Sequence, residues 1–200
     1  MAFLNHKQPI AGGKVTVGDF WQWAYSDILS NLNRSIFAEY IVGMALGVVN
    51  KPRVEWDSAD LEYQGSKIEV KSSAYIQSWP QKKLSTIRYD IDMAIFYNWD
   101  KCKYEGPPTR CARIYVFCLY PEKVKAKADV LDVPAWDFYV VSTEKLNREF
   151  EKTKSLSLSS LDKIAERCKV GGLKAIIDKL LPQTTKNDPT PAEATPVRFG

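Results

Sequence analysis

The stretch from Asp60 to Lys71, D-L-E-Y-Q-G-S-K-I-E-V-K, restricts what this chain can fold into more than any other. Two runs that alternate apolar and polar residues flank a short polar break at Gln64-Gly65-Ser66, which is the pattern of a β-hairpin. Successive strand side chains point to opposite faces. Leu61, Tyr63, Ile68 and Val70 therefore form one face, and Asp60, Glu62, Lys67, Glu69 and Lys71 the other. A two-residue turn at Gln64-Gly65 sets Asp60 across from Glu69, whereas a turn at Gly65-Ser66 sets Glu62 there. In both registers Asp60, Glu69 and Lys71 share a face. Like charges directly opposite are destabilising, and a divalent cation with a lysine beside it relieves that repulsion. A solvated hairpin face with mixed charges looks the same, so other residues must decide between the two readings.

The 200 residues suit one domain with a substantial core. The apolar run Ile36 to Val49 is too short to span a membrane and contains Glu39. The opening residues Met1 to Lys7 form no apolar signal segment, and the expectation is a cytoplasmic protein. Cys102, Cys111, Cys118 and Cys168 show no C-x-x-C spacing, which favours free thiols over a disulfide framework or a zinc site. A net charge of +4 permits a polyanionic partner without requiring one.

Residues 1–17 lack periodicity and read as a flexible arm. Helical spacing of Phe20, Trp21, Ala24, Tyr25, Ile28 and Leu32 predicts a helix capped by Asp19, with its tryptophans weighted toward packing. A second helix is expected from Asn33 or Arg34 to Val48, with Phe37, Tyr40, Ile41, Met44 and Val48 as its apolar stripe. Gly43 and Gly47 in it imply close approach to a sheet. Glu39 is the only charge between Ser35 and Asn50, so it must protonate, bind a metal, or find a partner such as Arg34.

Beyond that helix, Val54–Tyr63 and Lys67–Ile76 are the expected hairpin strands. Ser78 to Lys83 is a basic break carrying Trp79, and Ile87–Tyr97 is an extended segment. Residues 98–110, with Gly106-Pro107-Pro108, read as loop. Ala112–Tyr120 is nearly all apolar and predicts a central buried strand. Trp136–Val141 follows as a strand, then a helix from Ser142 or Thr143 to Phe150, a helix Leu161–Lys169 ending at Gly171-Gly172, and a last helix Leu173–Leu181. From Pro182 the chain becomes rich in Pro, Thr and polar residues, the composition of a disordered tail. The expected fold is one α/β domain over 18–181, with a mixed β-sheet flanked by helices, between the arm and a tail over 182–200.

Elimination narrows the chemistry. The only histidine is His6, so a Ser-His-Asp triad or a histidine-based zinc site has no material. Neither G-x-x-x-x-G-K-[ST] nor G-x-G-x-x-G is present. Carboxylates and lysine remain, which suit Mg²⁺ or Mn²⁺ held by one or two carboxylates plus substrate phosphate oxygens.

Glu39 on a helix, then Asp60, then Glu69-Val70-Lys71 on the adjacent strand resembles the PD-(D/E)XK nuclease superfamily, with its restriction-endonuclease-like fold. The likeness covers roughly residues 34–142. It implies a Mg²⁺-dependent endonuclease acting on DNA, with Asp60, Glu69, the Val70 carbonyl and Glu39 as metal ligands. It further implies that Lys71 positions the attacking water and that Gln77 helps hold the site. Ala59 stands where the superfamily pattern has proline, and the Q-x-x-x-Y motif of its exonuclease branch is missing. Asp57 falls on the wrong face by parity, while Glu62 shares the right one and competes with Asp60. Glu69-Val70-Lys71 is the chain's only (D/E)-x-K. Lys82, Lys83, Arg88, Lys67 and Arg34 are candidate phosphate contacts, and Trp79 can stack on a base or pack internally. A homodimer is compatible with this reading. The alternative is a DNA-binding or assembly module that keeps the fold without cutting.

Overall fold

The structure, a computed structural model, describes residues 2–55, 59–98 and 103–181. Asp57, Cys102 and the tail over 182–200 lie outside the described residues. Helices α1 (Val17–Tyr25) and α2 (Asn31–Leu46) lead into strands β1 (Leu61–Tyr63) and β2 (Ser66–Ala74). Then come β3 (Arg88–Asp90), β4 (Ala94–Asn98), β5 (Lys103–Thr109), β6 (Ile114–Tyr120) and β7 (Asp137–Ser142). The chain closes with α3 (Thr143–Phe150), β8 (Ser155–Ser157), α4 (Leu158–Ile164), β9 (Glu166–Cys168) and α5 (Leu173–Leu180).

The result is an α/β fold on a mixed five-stranded sheet of order β1-β2-β6-β7-β9. β2 and β6 run parallel, and the remaining pairs are antiparallel. β6 is the buried centre, as its unbroken apolar run requires. Parity divides the core into two layers. Ile68, Val70, Ile114, Val116 and Cys118 pack against α2 and α5 on one face. Tyr115, Phe117, Leu119, Tyr139 and Val141 pack with Tyr89 of β3, Leu146 of α3 and Leu161 of α4 on the other. Among the described residues, no helix is long and apolar enough to cross a membrane. Cys111, Cys118 and Cys168 are free thiols, as their spacing implies.

α2 comes close to the sheet at Gly43, where a Cβ would lie 2.7 Å from Val49 Cγ1 and 3.4 Å from Leu61 Cδ2. Gly47 ends the helix at φ +74°, a conformation that favours glycine. Its buried face differs from the expected stripe. Arg34, Ala38, Ile41, Val42 and Leu46 are buried, whereas Tyr40 and Met44 are exposed. Including the charged Arg34 and Glu39 in the buried face turns the helix relative to a purely apolar count.

Other expectations are also corrected. α1 is capped by Thr16, with Asp19 closing a capping box, and it ends at Tyr25. Its aromatics are not core: Phe20, Trp21 and Tyr25 are exposed, and Trp23 is 85% exposed. The N-terminal arm is partly organised, since Pro9 bridges Thr16 and Gly18 N–H donates to the His6 carbonyl.

The first hairpin strand is only three residues long. The Asp60 side chain takes the Val70 N–H that a longer β1 would have paired. The segment Ile87–Tyr97 splits into β3 and β4 at Asp90, whose Oδ1 accepts the Asp92 N–H. β5 occupies part of the expected loop 98–110. Its register against β4 shifts between Ala94 and Phe96, and the shift absorbs Gly106-Pro107-Pro108. The helix expected over Leu161–Lys169 starts earlier, with Ser157 as its cap, and ends at Ile164. Residues 166–168 then join the sheet edge beside β7.

Candidate active site

The hairpin turn fixes the geometry. Gln64 and Gly65 both have positive φ, 49° and 70°, the conformation of a two-residue type I′ turn. The register is Leu61↔Ile68, Glu62↔Lys67 and Tyr63↔Ser66, so Asp60, one residue beyond β1, comes across from Glu69. Glu62 faces Lys67 and is exposed. Of the two registers open to the sequence, the structure adopts the one that brings Asp60 to Glu69.

Asp60 Oδ2 accepts the Val70 N–H at 2.7 Å, and Lys71 Nζ donates to Glu69 Oε1 at 2.6 Å. The N–H and C=O of a strand residue point to the same side, so the Val70 carbonyl also faces the space beyond the end of β1, beside Asp60. Tyr115 of β6 lies in register with Glu69, and Phe117 with Lys71. Asp60, Glu69 and Lys71 open onto a cleft of about 350 Å³ that Asp90, Asp92, Arg110 and Tyr115 also line.

The electrostatics follow from this crowding. Burial, the neighbouring Glu69 and the more distant Glu39 push the Asp60 carboxyl up to about 7, against the Val70 hydrogen bond and Lys71. For Lys71, burial favours the neutral amine, but Glu69, Asp60 and Asp90 outweigh it and hold the ammonium charged. Burial and the Glu69 charge raise the Tyr115 phenol, so it stays neutral.

Glu39 is placed differently from the other carboxylates. It sits on α2, which packs on the sheet face opposite Glu69 and Lys71, and Arg53 holds it through Nε at 2.5 Å and Nη2 at 2.9 Å. Its partner is therefore Arg53 and not Arg34. The Glu39 carboxylate and Asp60 line a second, largely apolar groove with Ile36, Tyr40, Arg53 and Leu61, so Asp60 stands between the groove and the cleft. Among the described residues, no three His, Cys, Asp or Glu side chains converge as a ready-made metal cage.

Gln77 does not line the cleft. It is buried, donates to the Ala74 carbonyl and Ser85 Oγ, and accepts from Arg34 Nη1 and, through its backbone N–H, connects to Gln81 Oε1. It ties α2 to the end of β2 and to the loop that follows. Arg34 is also withdrawn from any phosphate role, being 3% exposed and bonded to Ser72, Leu29, Gln77 and Asn31. Lys67, Lys82, Lys83 and Arg88 are exposed, and Trp79 is 49% exposed rather than packed.

Sequence reasoning missed Arg53, Asp90, Arg110 and Tyr115. Tyr115 enters only through the β2–β6 pairing, and Arg53 through chain geometry after Pro52; neither carries a local motif. Asp90 had a signal, since it alternates with the buried Tyr89 and Ile91. Comparisons with protein-family models, curated proteins and solved structures found no match.

Proposed function

We propose that the chain is a Mg²⁺-dependent DNA phosphodiesterase of endonuclease type, built on a restriction-endonuclease-like core. The observation that carries this reading is the convergence of Asp60, Glu69 and Lys71 on one cleft, with Asp60 fixed by the Val70 amide. The donor set fits a hard cation: two carboxylates facing each other across a hairpin, one of them destabilised as an anion by the other, with a carbonyl alongside. Asp60, Glu69 and the Val70 carbonyl are the ligands. When bound there, the metal neutralises charge on the scissile phosphate and acidifies the attacking water.

The chain's own groups supply the rest. Lys71 keeps its proton in a partly buried setting, so its ammonium can orient the nucleophile and meet charge developing on the phosphate. Glu69 holds that ammonium in place. Lys82, Lys83, Arg88 and the exposed face of Trp79 are DNA contacts outside the cleft. Gln77 supports the loop that carries Trp79 and the two lysines.

One observation favours the second reading, a DNA-binding or assembly module that does not cut: Arg53 occupies both oxygens of Glu39. The deciding experiment incubates the protein with plasmid and single-stranded DNA, with Mg²⁺ or Mn²⁺ present and absent. Metal-dependent cutting that Glu69→Gln abolishes supports the enzyme. Metal-independent binding with no cutting by the wild type supports the module.

A further inference from the structure

The sequence points to Lys82 and Lys83, with Lys67, Arg88 and Arg34, as candidate phosphate contacts. The fold sets a second basic segment against the first two. Lys125 Nζ donates to the carbonyls of Ser78 at 2.6 Å and Trp79 at 3.3 Å, which pins the segment after β6 to the loop after β2. That loop is itself braced. Gln81 bonds to the Tyr75 carbonyl and Ser85 Oγ, and the Ser85 N–H closes onto the Tyr75 carbonyl at 2.8 Å. Lys82, Lys83, Lys123, Lys125 and Lys127 are all exposed on the joined segments. Lys82, Lys83, Lys123 and Lys127 form no ion pair with a described residue.

The position relative to the cleft can be read from strand parity. Lys123 Nζ sits 4.8 Å from the centroid of the Tyr75 ring. Tyr75 has the same parity as Glu69 and Lys71, and it packs with the core layer on their side of the sheet. Tyr75 lies four residues, or roughly 13 Å of extended chain, beyond Lys71, and Lys123 reaches its ring on the same side of the sheet as the cleft. Three carboxylates lie nearby. Glu122 turns its Oε1 onto the N–H groups of Lys123 and Val124, and Asp129 accepts the Leu131 N–H, so two of the three are engaged with backbone. Asp132 is the third. Five ammoniums against these leave the ridge positive.

We infer that Lys123 and Lys127, bracketed to Lys82 and Lys83 by Lys125, form one ridge that binds the phosphate backbone of a nucleic acid several nucleotides from the reacting phosphate. This inference deepens the nuclease reading and rests on it for the identity of the substrate. Its own content is separable: the ridge sets affinity and not chemistry. Each phosphate neutralised contributes about 0.9 to the slope of log affinity against log salt.

The test measures DNA binding in Ca²⁺ across a salt series, together with single-turnover cleavage in Mg²⁺ at saturating DNA. Lys123→Gln/Lys127→Gln should weaken binding roughly tenfold or more at 0.1 M salt and lower the salt slope by about two. The cleavage rate at saturation should stay within about twofold of wild type. Lys174→Gln/Lys179→Gln, an equal charge loss on α5 at the opposite face, should leave the slope unchanged. Wild-type affinity and slope in the Lys123/Lys127 double variant, with wild-type cutting intact, overturns the ridge and leaves the nuclease reading standing. Ridge-dependent binding by a wild type that never cuts supports the ridge and overturns the nuclease reading.

Discussion

Asp60 offers a prediction whose size comes directly from the structure. In the metal-free protein its carboxyl is raised from 3.8 to about 7, chiefly by burial and by Glu69. Between those values the folded protein keeps a proton on Asp60 that the unfolded chain has lost, so the contribution of Asp60 to stability falls as pH rises from about 4 to about 7. About three pK units at 1.36 kcal/mol each gives roughly 4 kcal/mol lost by pH 8. Asparagine cannot ionise, and its Oδ1 can still accept the Val70 N–H. Asp60→Asn should therefore match the wild type near pH 4 and exceed it near pH 8. For a chain of this length a gain of that size raises Tm by about 10 °C. The assay is thermal unfolding of both proteins in chelator at pH 4.5 and pH 8. Adding Mg²⁺ at pH 8 should stabilise the wild type more than the variant and narrow the gap. A variant less stable than wild type at both pH values, or a gap that does not change with pH, would refute the reasoning.

Three further outcomes are expected. Lys71→Ala should lower single-turnover cleavage by roughly a hundredfold or more while DNA affinity in Ca²⁺ stays nearly unchanged; Lys82→Ala should weaken binding and leave chemistry at saturating DNA near normal. Glu39→Gln leaves the Arg53 guanidinium with half of its two-point partner, and unfolding measurements should show a loss of about 1–2 kcal/mol, more than an exposed ion pair would give. Gly43→Ala forces a Cβ against Val49 and should cost about 1–3 kcal/mol in a denaturant titration, with cleavage retained at low temperature.

What the sequence revealed, and what it concealed, follows from the range of the interactions involved. Asp60, Glu69 and Lys71 are legible because a hairpin is local: parity puts them on one face in either register that a two-residue turn allows, and only the fold chooses the register that sets Asp60 across from Glu69. The central strand β6 is legible because burial on both faces leaves an unbroken apolar run. The helix start at Ser142 is legible because capping is local too, whereas α2 begins at Asn31 with Ser30 as its cap, ahead of the expected Asn33 or Arg34. Glu39 is different. Its partner Arg53 is set by how the chain leaves α2 and turns past Pro52, and nothing in the spacing distinguishes Arg53 from Arg34.

The aromatics of α1 misled for a related reason. Helical spacing shows which residues share a face, but not whether another element covers that face. Glu166 to Cys168 has too few residues to show any period, and the strand conformation of β9 comes from pairing with β7. The basic ridge was invisible because its two halves are about 45 residues apart and meet only through the Lys125 bracket.

The central claim is that the Asp60–Glu69–Lys71 cleft hydrolyses DNA with a bound divalent metal. The most direct measurement is conversion of supercoiled plasmid to nicked or linear product by wild type and Glu69→Gln, each with Mg²⁺ and with chelator. The account predicts product only for the wild type with Mg²⁺. Equal conversion by Glu69→Gln in Mg²⁺, or none by a folded wild type that binds the plasmid in either Mg²⁺ or Mn²⁺, would contradict it.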